Sequence, residues 1–363
     1  MASLSTRDEN VGVLSRIRLF VTRGKSFKIL SGALYFRSTH VTEEMLATHR
    51  VLRQLGGDAW VRPGWRRARG PKESAVGAVL VNGFGRFGNS IIQLLNCQAL
   101  ASELNIERIF YHRFDLLGNQ DITLGNRIHL VNTTPLKRKA KMPAVLWATD
   151  GIRGADLIAD PCSPQSLETR DIVSRLILPD GPGNLSAERE LTAHIRSGDL
   201  FGENPHPQYG QPPLAFYKQV VESGTWHSVR IVAEDRANPC VTALQRWCRE
   251  RNIPTHLHKA GLTETIEVIA GSGAIVAGRG TFVPSIVSLF PRPRDLFFFE
   301  MEPPPLLVCD SQNNIRIGED ALGKYRREIL SGNWSASHAQ KALMVSYDPS
   351  ALAPLRAATV APQ

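Results

Sequence analysis

From about residue 75 onward, short apolar runs bounded by glycine or proline alternate with longer stretches in which apolar residues recur every three or four positions. The run AVGAVLVNGF (75–84) reads as a strand buried on both faces. It enters a glycine-rich turn, after which Ile91, Leu94, Leu95, Gln98 and Ala101 stand at helical spacing within 90–104. ERIFYHRF, RIHLVN and AVLWATD read as further strands, and LETRDIVSRLIL as a helix ending at the loop PDGPGN (179–184), a candidate domain boundary. The second half repeats the rhythm as strands ELTAHI, SVRIVAED, THLH, GAIVAG and DLFFFE. Helices PLAFYKQVVES, NPCVTALQRWCRERN, TETIEVIAG and FVPSIVSLF lie between them. Asn238 followed by Pro239 forms an N-cap and first-turn pair. Strands alternating with helices of these lengths predict parallel sheets covered by helices on both faces. Ligands of such sheets bind beyond the C-terminal ends of the strands. Residues 319–330 and 335–347 read as terminal helices, and LAPLRAATVAPQ (352–363) as a frayed tail.

Composition narrows the class. At 363 residues, with 42% apolar and 21% charged residues, the chain is that of a globular protein with room for two domains. The formal charge of +9 is unevenly placed: residues 1–70 hold 13 Lys/Arg against 5 Asp/Glu, and residues 71–363 hold 30 against 29. The basic excess therefore belongs to an N-terminal extension, in which Thr42 before Glu43 and Glu44 resembles a helix start and WVRPGWRRARGPKES reads as a linker. A nearly neutral remainder argues against nucleic acid as the partner, and the extension suits peripheral contact with an anionic membrane. Five cysteines without C-x-x-C spacing suggest neither a zinc site nor a disulfide framework. No run of about 18 apolar residues occurs, and the opening MASLSTRDENVGVLSR lacks the pattern of a secretory signal. A cytoplasmic protein is expected.

Two motifs carry chemistry. Gly83-Phe84-Gly85-Arg86-Phe87-Gly88 is a complete G-x-G-x-x-G between a predicted strand and a predicted helix. In that setting glycine lets the backbone approach a phosphate while the helix N-terminus supplies free N–H groups. The string also resembles the opening of glyceraldehyde-3-phosphate dehydrogenase, which makes an NAD-dependent oxidoreductase the first alternative. None of the contexts LNCQA, DPCSP, NPCVT, RWCRE and LVCDS matches that enzyme's catalytic cysteine, and Asp115 is the one plausible ribose-binding acid. The second motif, His194-Ile195-Arg196-Ser197-Gly198-Asp199, is an H-x-R-x-x-D at the end of the strand that opens the second half.

GRFGNS followed by HIRSGD resembles the fucosyltransferase superfamily: the α1,2- and α1,6-fucosyltransferases and the protein O-fucosyltransferases. IVAED (231–235) and GRGTFVPSIVSLF (278–290) extend the resemblance in the right order, and it spans roughly residues 76–300. Ser197 stands where the family has a second Arg, and Ser90 where it has Gln. The resemblance implies a GT-B-like α/β fold: two Rossmann-type domains facing a cleft, preceded by the basic extension. The expected divisions are 1–75 extension and linker, 76–184 N-terminal acceptor-side domain, 185–317 C-terminal donor-side domain, and 318–363 C-terminal helices and tail.

It further implies metal-independent, inverting transfer of fucose from GDP-fucose to a glycan or lipid-linked saccharide, as in polysaccharide biosynthesis. Neither a D-x-D motif nor a His/Cys cluster of metal-ligand character occurs, so no metal or cofactor beyond the donor is expected. Arg196 is then the cation meeting the departing diphosphate. Its guanidinium stays charged and its fork matches phosphate. Gly85, Gly88 and Asn89 are candidates for pyrophosphate or sugar contacts, His194 and Asp235 for ribose or base, Thr281 for phosphate or a helix cap, and Phe282 for packing on the base. Asp199, Glu203 and His206 are general-base candidates, with Asp199 placed beside Arg196 in the catalytic set. A non-catalytic nucleotide-sugar or glycan-binding protein is the second alternative.

Overall fold

A computed structural model describes residues 59–62, 77–80, 86–103, 108–111, 117, 122–124, 128–132, 145–148, 160–183, 189–307, 309 and 312–358. The candidate residues Gly83, Gly85 and Asp115, and the basic segment up to residue 58 with its Thr42 helix start, lie outside them. The chain divides into two compact units between Leu176 and Ile177.

The described part of the N-terminal unit is a six-stranded sheet. Its strands are β1 (Ala59–Arg62), β2 (Gly77–Leu80), β3 (Arg108–Tyr111), β4 (Ile122–Leu124), β5 (Ile128–Asn132) and β6 (Val145–Ala148), in the order β1-β6-β2-β3-β5-β4. The inner four are parallel and the two outer strands antiparallel. Helix α1 (Phe87–Glu103) connects β2 to β3, and Ile91, Leu94, Leu95, Gln98 and Ala101 are all buried, as the spacing predicted. It starts three residues earlier than expected, with Phe87 itself buried. Trp60–Arg62, read as the start of a linker, stand in β1 because β6 offers its open edge to them. Helix α2 (Pro164–Ile177) is capped by Ser163, whose hydroxyl accepts from Ser166 N at 3.2 Å.

The C-terminal unit is a seven-stranded sheet of β7 (Glu190–His194), β8 (Ser228–Val232), β9 (Thr255–His258), β10 (Ala274–Val276), β11 (Asp295–Phe299), β12 (Asn314–Gly318) and β13 (Arg356–Ala357). Their order is β13-β12-β11-β10-β7-β8-β9, parallel throughout except for β13. Strands β7, β8 and β9 step outward one way, and β10, β11 and β12 the other. Strand order therefore reverses between β7 and β10, as in a Rossmann-type sheet.

Alternate residues of the central strands face opposite sides. Leu191, Ala193, Val229, Ile231, Ala274, Val276, Phe297 and Phe299 join one buried cluster with α3 (Leu214–Glu222) and α4 (Pro239–Glu250). Thr192 faces the other way, where its hydroxyl meets Ser272 Oγ at 2.7 Å, just after α5 (Leu262–Gly271). His194 lies on that side too, against Phe282 at the start of α6 (Phe282–Leu289). The buried guanidinium of Arg294 donates to Ala270 O at 2.7 Å and Ser272 O at 3.0 Å, so it satisfies carbonyls at the end of α5.

The C-terminal segment belongs to the same core. Tyr325, Ile329, Trp334, Met344 and Tyr347 are buried in it, and α7 (His338–Ser346) is held by a Ser337/Gln340 capping box. Two expectations change. The helix read over 319–330 contracts to a π-type turn at Arg326–Leu330, where the Asp320 carboxylate accepts from Arg326 N at 2.9 Å and from Tyr347 OH at 2.5 Å. Arg356 and Ala357, read as tail, add β13 to the sheet edge, while Arg356 Nε binds Glu319 at 2.6 Å. Of the cysteines, Cys97, Cys240 and Cys248 are free and buried. Burial pushes the Cys240 thiol up to about 12. No helix among the described residues is long and apolar enough to cross a membrane.

Trp334 ties this segment to the loop after β7. Its indole N–H donates to Leu200 O at 2.8 Å, its backbone N–H to Pro207 O at 3.0 Å, and its ring meets Phe201 edge-on at 5.2 Å. Trp334→Ala removes a buried aromatic and leaves a carbonyl unpaired, so urea denaturation is expected to show a loss of about 3–5 kcal/mol.

Candidate functional site

Each motif ends or follows a strand at which its own sheet reverses order. In the N-terminal unit that strand is β2, between β3 and β6, and the described residues of the motif begin at Arg86, just before α1. Arg86 there is exposed, Phe87 and Gly88 are buried, and Asn89 is half-buried in the first turn of α1. In the C-terminal unit the H-x-R-x-x-D residues follow β7 and the stretch Gly278-Arg279-Gly280-Thr281 follows β10, on the two sides of the reversal.

The two segments approach closely, and two glycines make this possible. A Cβ on Gly278 would stand 3.1 Å from His194 Nδ1 and from His194 O, and 3.2 Å from Arg196 N. Gly280 has φ +136°, a conformation side chains rarely adopt, and a Cβ there would stand 2.8 Å from Arg196 Nη1. The Arg196 guanidinium thus lies over Gly280. Its central carbon is also 4.8 Å from the centroid of the Tyr209 ring, which meets His206 edge-on at 4.8 Å. Asp199 Oδ1 is 4.0 Å from Arg196 Nη2, with about half of the Asp199 side chain exposed.

The backbone after β7 is braced from below. Ser197, 1% exposed, donates its hydroxyl hydrogen to Asp235 Oδ1 and accepts from Asn238 N at 2.9 Å. Asp235 Oδ1 also accepts from Ala237 N at 2.9 Å and Gly198 N at 3.3 Å, while Asn238 Nδ2 donates to Arg196 O at 2.9 Å. Burial alone would raise the Asp235 pKa. The hydrogen bonds from Ser197, Ala237 and Gly198 and the charge of Lys259 outweigh it, so the carboxyl is held below its ordinary value. Asp235 and Ser197 therefore shape the loop that carries Arg196, and the side chain at 197 points into the loop's interior. Asn238 does cap α4, accepting from Cys240 N at 2.9 Å, as the Asn-Pro pair predicted.

His194 is nearly buried, and its Nδ1 has no hydrogen-bond partner. Burial, reinforced by the Arg196 charge, pushes its pKa down to about 3, so the ring is neutral at physiological pH. Phe282 is half-buried, with its ring centroid 5.3 Å from that of His194. Thr281 occupies the N-cap position of α6, but its hydroxyl makes no capping bond to that helix. Glu203 and His206 are exposed, and His206 Nδ1 accepts from Gln208 N at 3.3 Å. Among the described residues, no group of three or more His, Cys, Asp or Glu side chains could hold a metal ion.

Two residues near this site were not singled out from sequence. Arg279 is partly buried with no partner for its Nη1. Desolvation lowers its pKa, and Glu300 and Tyr325 act in the opposite direction. Gln211 is fully buried, with its amide turned to the backbone of Arg279. An arginine between two glycines was a readable signal for the first; an isolated Gln before two prolines gave none for the second.

No protein-family model matches the chain, and comparison with curated proteins finds no match. Among solved structures it is similar to E. coli heptosyltransferase WaaC with ADP, at 10% identity, 74% of this chain, 98% of that chain and a TM-score of 0.37. It is also similar to E. coli ADP-heptose lps heptosyltransferase II, at 13% identity, 72% of this chain, 76% of that chain and a TM-score of 0.28.

The buried neutral His194 makes stability depend on pH. The unfolded chain takes up a proton near pH 6.5 that the folded state refuses until about pH 3, so this contribution is lost as pH falls through that window. The stability of the wild type relative to His194→Gln is expected to decline below pH 6.5 by up to about 1.4 kcal/mol per pH unit, as read by urea denaturation.

Proposed function

We propose that the chain is a nucleotide-sugar-dependent glycosyltransferase whose C-terminal unit holds the donor diphosphate at the β7/β10 reversal, with Arg196 as the principal cation. The observation that carries this reading is the seat of Arg196. An always-charged, fork-shaped donor is held over a glycine turn at the point of the sheet where ligands of such folds bind, beside the amino end of α6. GDP-fucose is the first donor to test, because GRFGNS and HIRSGD stand in the order of the fucosyltransferase superfamily.

In the proposed reaction the bond between the anomeric carbon and the phosphate oxygen breaks while an acceptor hydroxyl forms a new bond to that carbon from the opposite face, inverting it. The negative charge that grows on the departing diphosphate is met by Arg196 without a divalent ion. Asp199, beside the guanidinium and open to solvent, takes the proton of the acceptor hydroxyl. His194, being neutral, serves as a hydrogen-bonding and packing partner and adds no charge. The basic segment 1–70 is proposed to contact anionic membrane; its deletion is expected to abolish liposome binding at low salt.

Thermal stability is measured with GDP, ADP, UDP, GDP-fucose and NAD in parallel. A nucleoside diphosphate at about 100 times its Kd adds about 2.7 kcal/mol. Stabilisation by NAD alone overturns the reading. Arg196→Lys keeps the charge and loses the fork, and is expected to weaken diphosphate binding about 10-fold and to lower kcat/KM by more, as read by calorimetry and donor turnover. Asp199→Asn is expected to lower kcat about 100-fold or more with donor affinity retained.

A further inference from the structure

Gln211 presents an amide at 0% exposure, and every hydrogen bond found for that amide goes to backbone. Its Oε1 accepts from Arg279 N at 3.1 Å, and its Nε2 donates to Arg279 O at 3.4 Å, an added bridge to the chain as it leaves β10. The same Nε2 donates to Tyr209 O at 3.0 Å, with a longer contact to Gly210 O at 3.5 Å. The Gln211 carbonyl in turn accepts from the buried Tyr325 hydroxyl at 2.7 Å, which fixes the backbone from which the amide projects.

These partners are the two walls around Arg196. The guanidinium packs on the Tyr209 ring, and its Nη1 lies over Gly280, the residue after Arg279. We infer that Gln211 is a positioning residue that locks both walls of the Arg196 seat and thereby sets the pose in which the guanidinium meets a diphosphate. The task demands an amide. Arg279 N–H requires an acceptor, while the carbonyls of Tyr209 and Arg279 require a donor beside it. Leu supplies neither, and an ionised Glu, having only acceptors, is repelled by both carbonyls and drawn off the Arg279 N–H as well. An unmet polar group in so buried a place is costly, so the bridge holds the turn firmly. The inference rests on the diphosphate reading above.

The test uses the full chain with Gln211→Leu and Gln211→Glu, probed with GDP, pyrophosphate and guanosine by calorimetry, and with hydrogen exchange of the Arg279 amide as a readout that needs no ligand. Both variants are expected to exchange that amide at least 10-fold faster at pH 8 and to bind GDP and pyrophosphate about 10-fold or more weaker, with any guanosine affinity unchanged. Gln211→Glu, close in shape, carries the test if the leucine variant does not fold. Its protonated carboxyl restores one donor beside one acceptor, and burial raises a carboxyl pKa. Its GDP affinity relative to wild type at the same pH should therefore recover as pH falls from 8 to 5, which a generally loosened fold would not do. Unchanged Arg279 exchange, wild-type GDP affinity in a folded variant, or a ratio independent of pH overturns the inference. Wild type that binds no nucleoside diphosphate or pyrophosphate overturns the diphosphate reading instead, while the exchange experiment still decides whether Gln211 locks the turn.

Discussion

Two neighbouring parallel strands, β7 and β10, end side by side and lead to strands on opposite sides of the sheet, and their outgoing backbone loses the partners that the ladder supplied. Side-chain hydrogen bonds around the candidate site answer that loss. Arg196 O is met by the Asn238 amide, Gly198 N by the Asp235 carboxylate, and Arg279 N and O by the Gln211 amide. Ala277 N continues the ladder to Phe297 O. Side chains thus take over where strand pairing ends, and the two outgoing chains can lie close enough for Gly278 to touch the backbone of His194 and Arg196.

The braces come from different depths of the unit. Asp235 and Asn238 follow β8, Gln211 precedes α3, and Tyr325 and Trp334 belong to the C-terminal segment. Because Trp334 anchors the loop through Leu200 and Pro207, and Tyr325 anchors Gln211, the segment after β12 is part of what shapes the site. The aromatic chain Phe299, Tyr325 and Tyr347 links that segment to the sheet, with the ring pairs 5.9 Å and 5.0 Å apart. A serine at position 197 fits this design. A small hydroxyl can donate to Asp235 and accept from Asn238 at once, which the guanidinium of a second Arg could not do.

Much of the central fold was legible along the chain because its signals are local. The five buried positions of α1, the cap at Asn238 and the strands around His194 follow from apolar spacing and cap chemistry. Four strands were not legible: β1, β4 and β13, short strands whose assignment depends on a neighbour's unpaired edge, and β12, which stands between β11 and β13. Residues 319–330 have helical spacing, but Asp320 binds Arg326 N and Tyr347 OH and so diverts the segment into a π-type turn.

At the candidate site the division is the same. Sequence alone placed H-x-R-x-x-D at the end of a strand and GRGT at the end of another, since strand ends and glycine turns are written in consecutive residues. That these two ends flank a reversal of strand order was decided only by the sheet, because order depends on which edges pair across the chain. Tertiary structure alone also gave Asp235, Ser197 and Gln211 their hydrogen-bonded places around the loop. A buried hydrogen bond between residues 211 and 279 leaves no periodicity, spacing or composition to read, since its cause is the unpaired backbone it must satisfy.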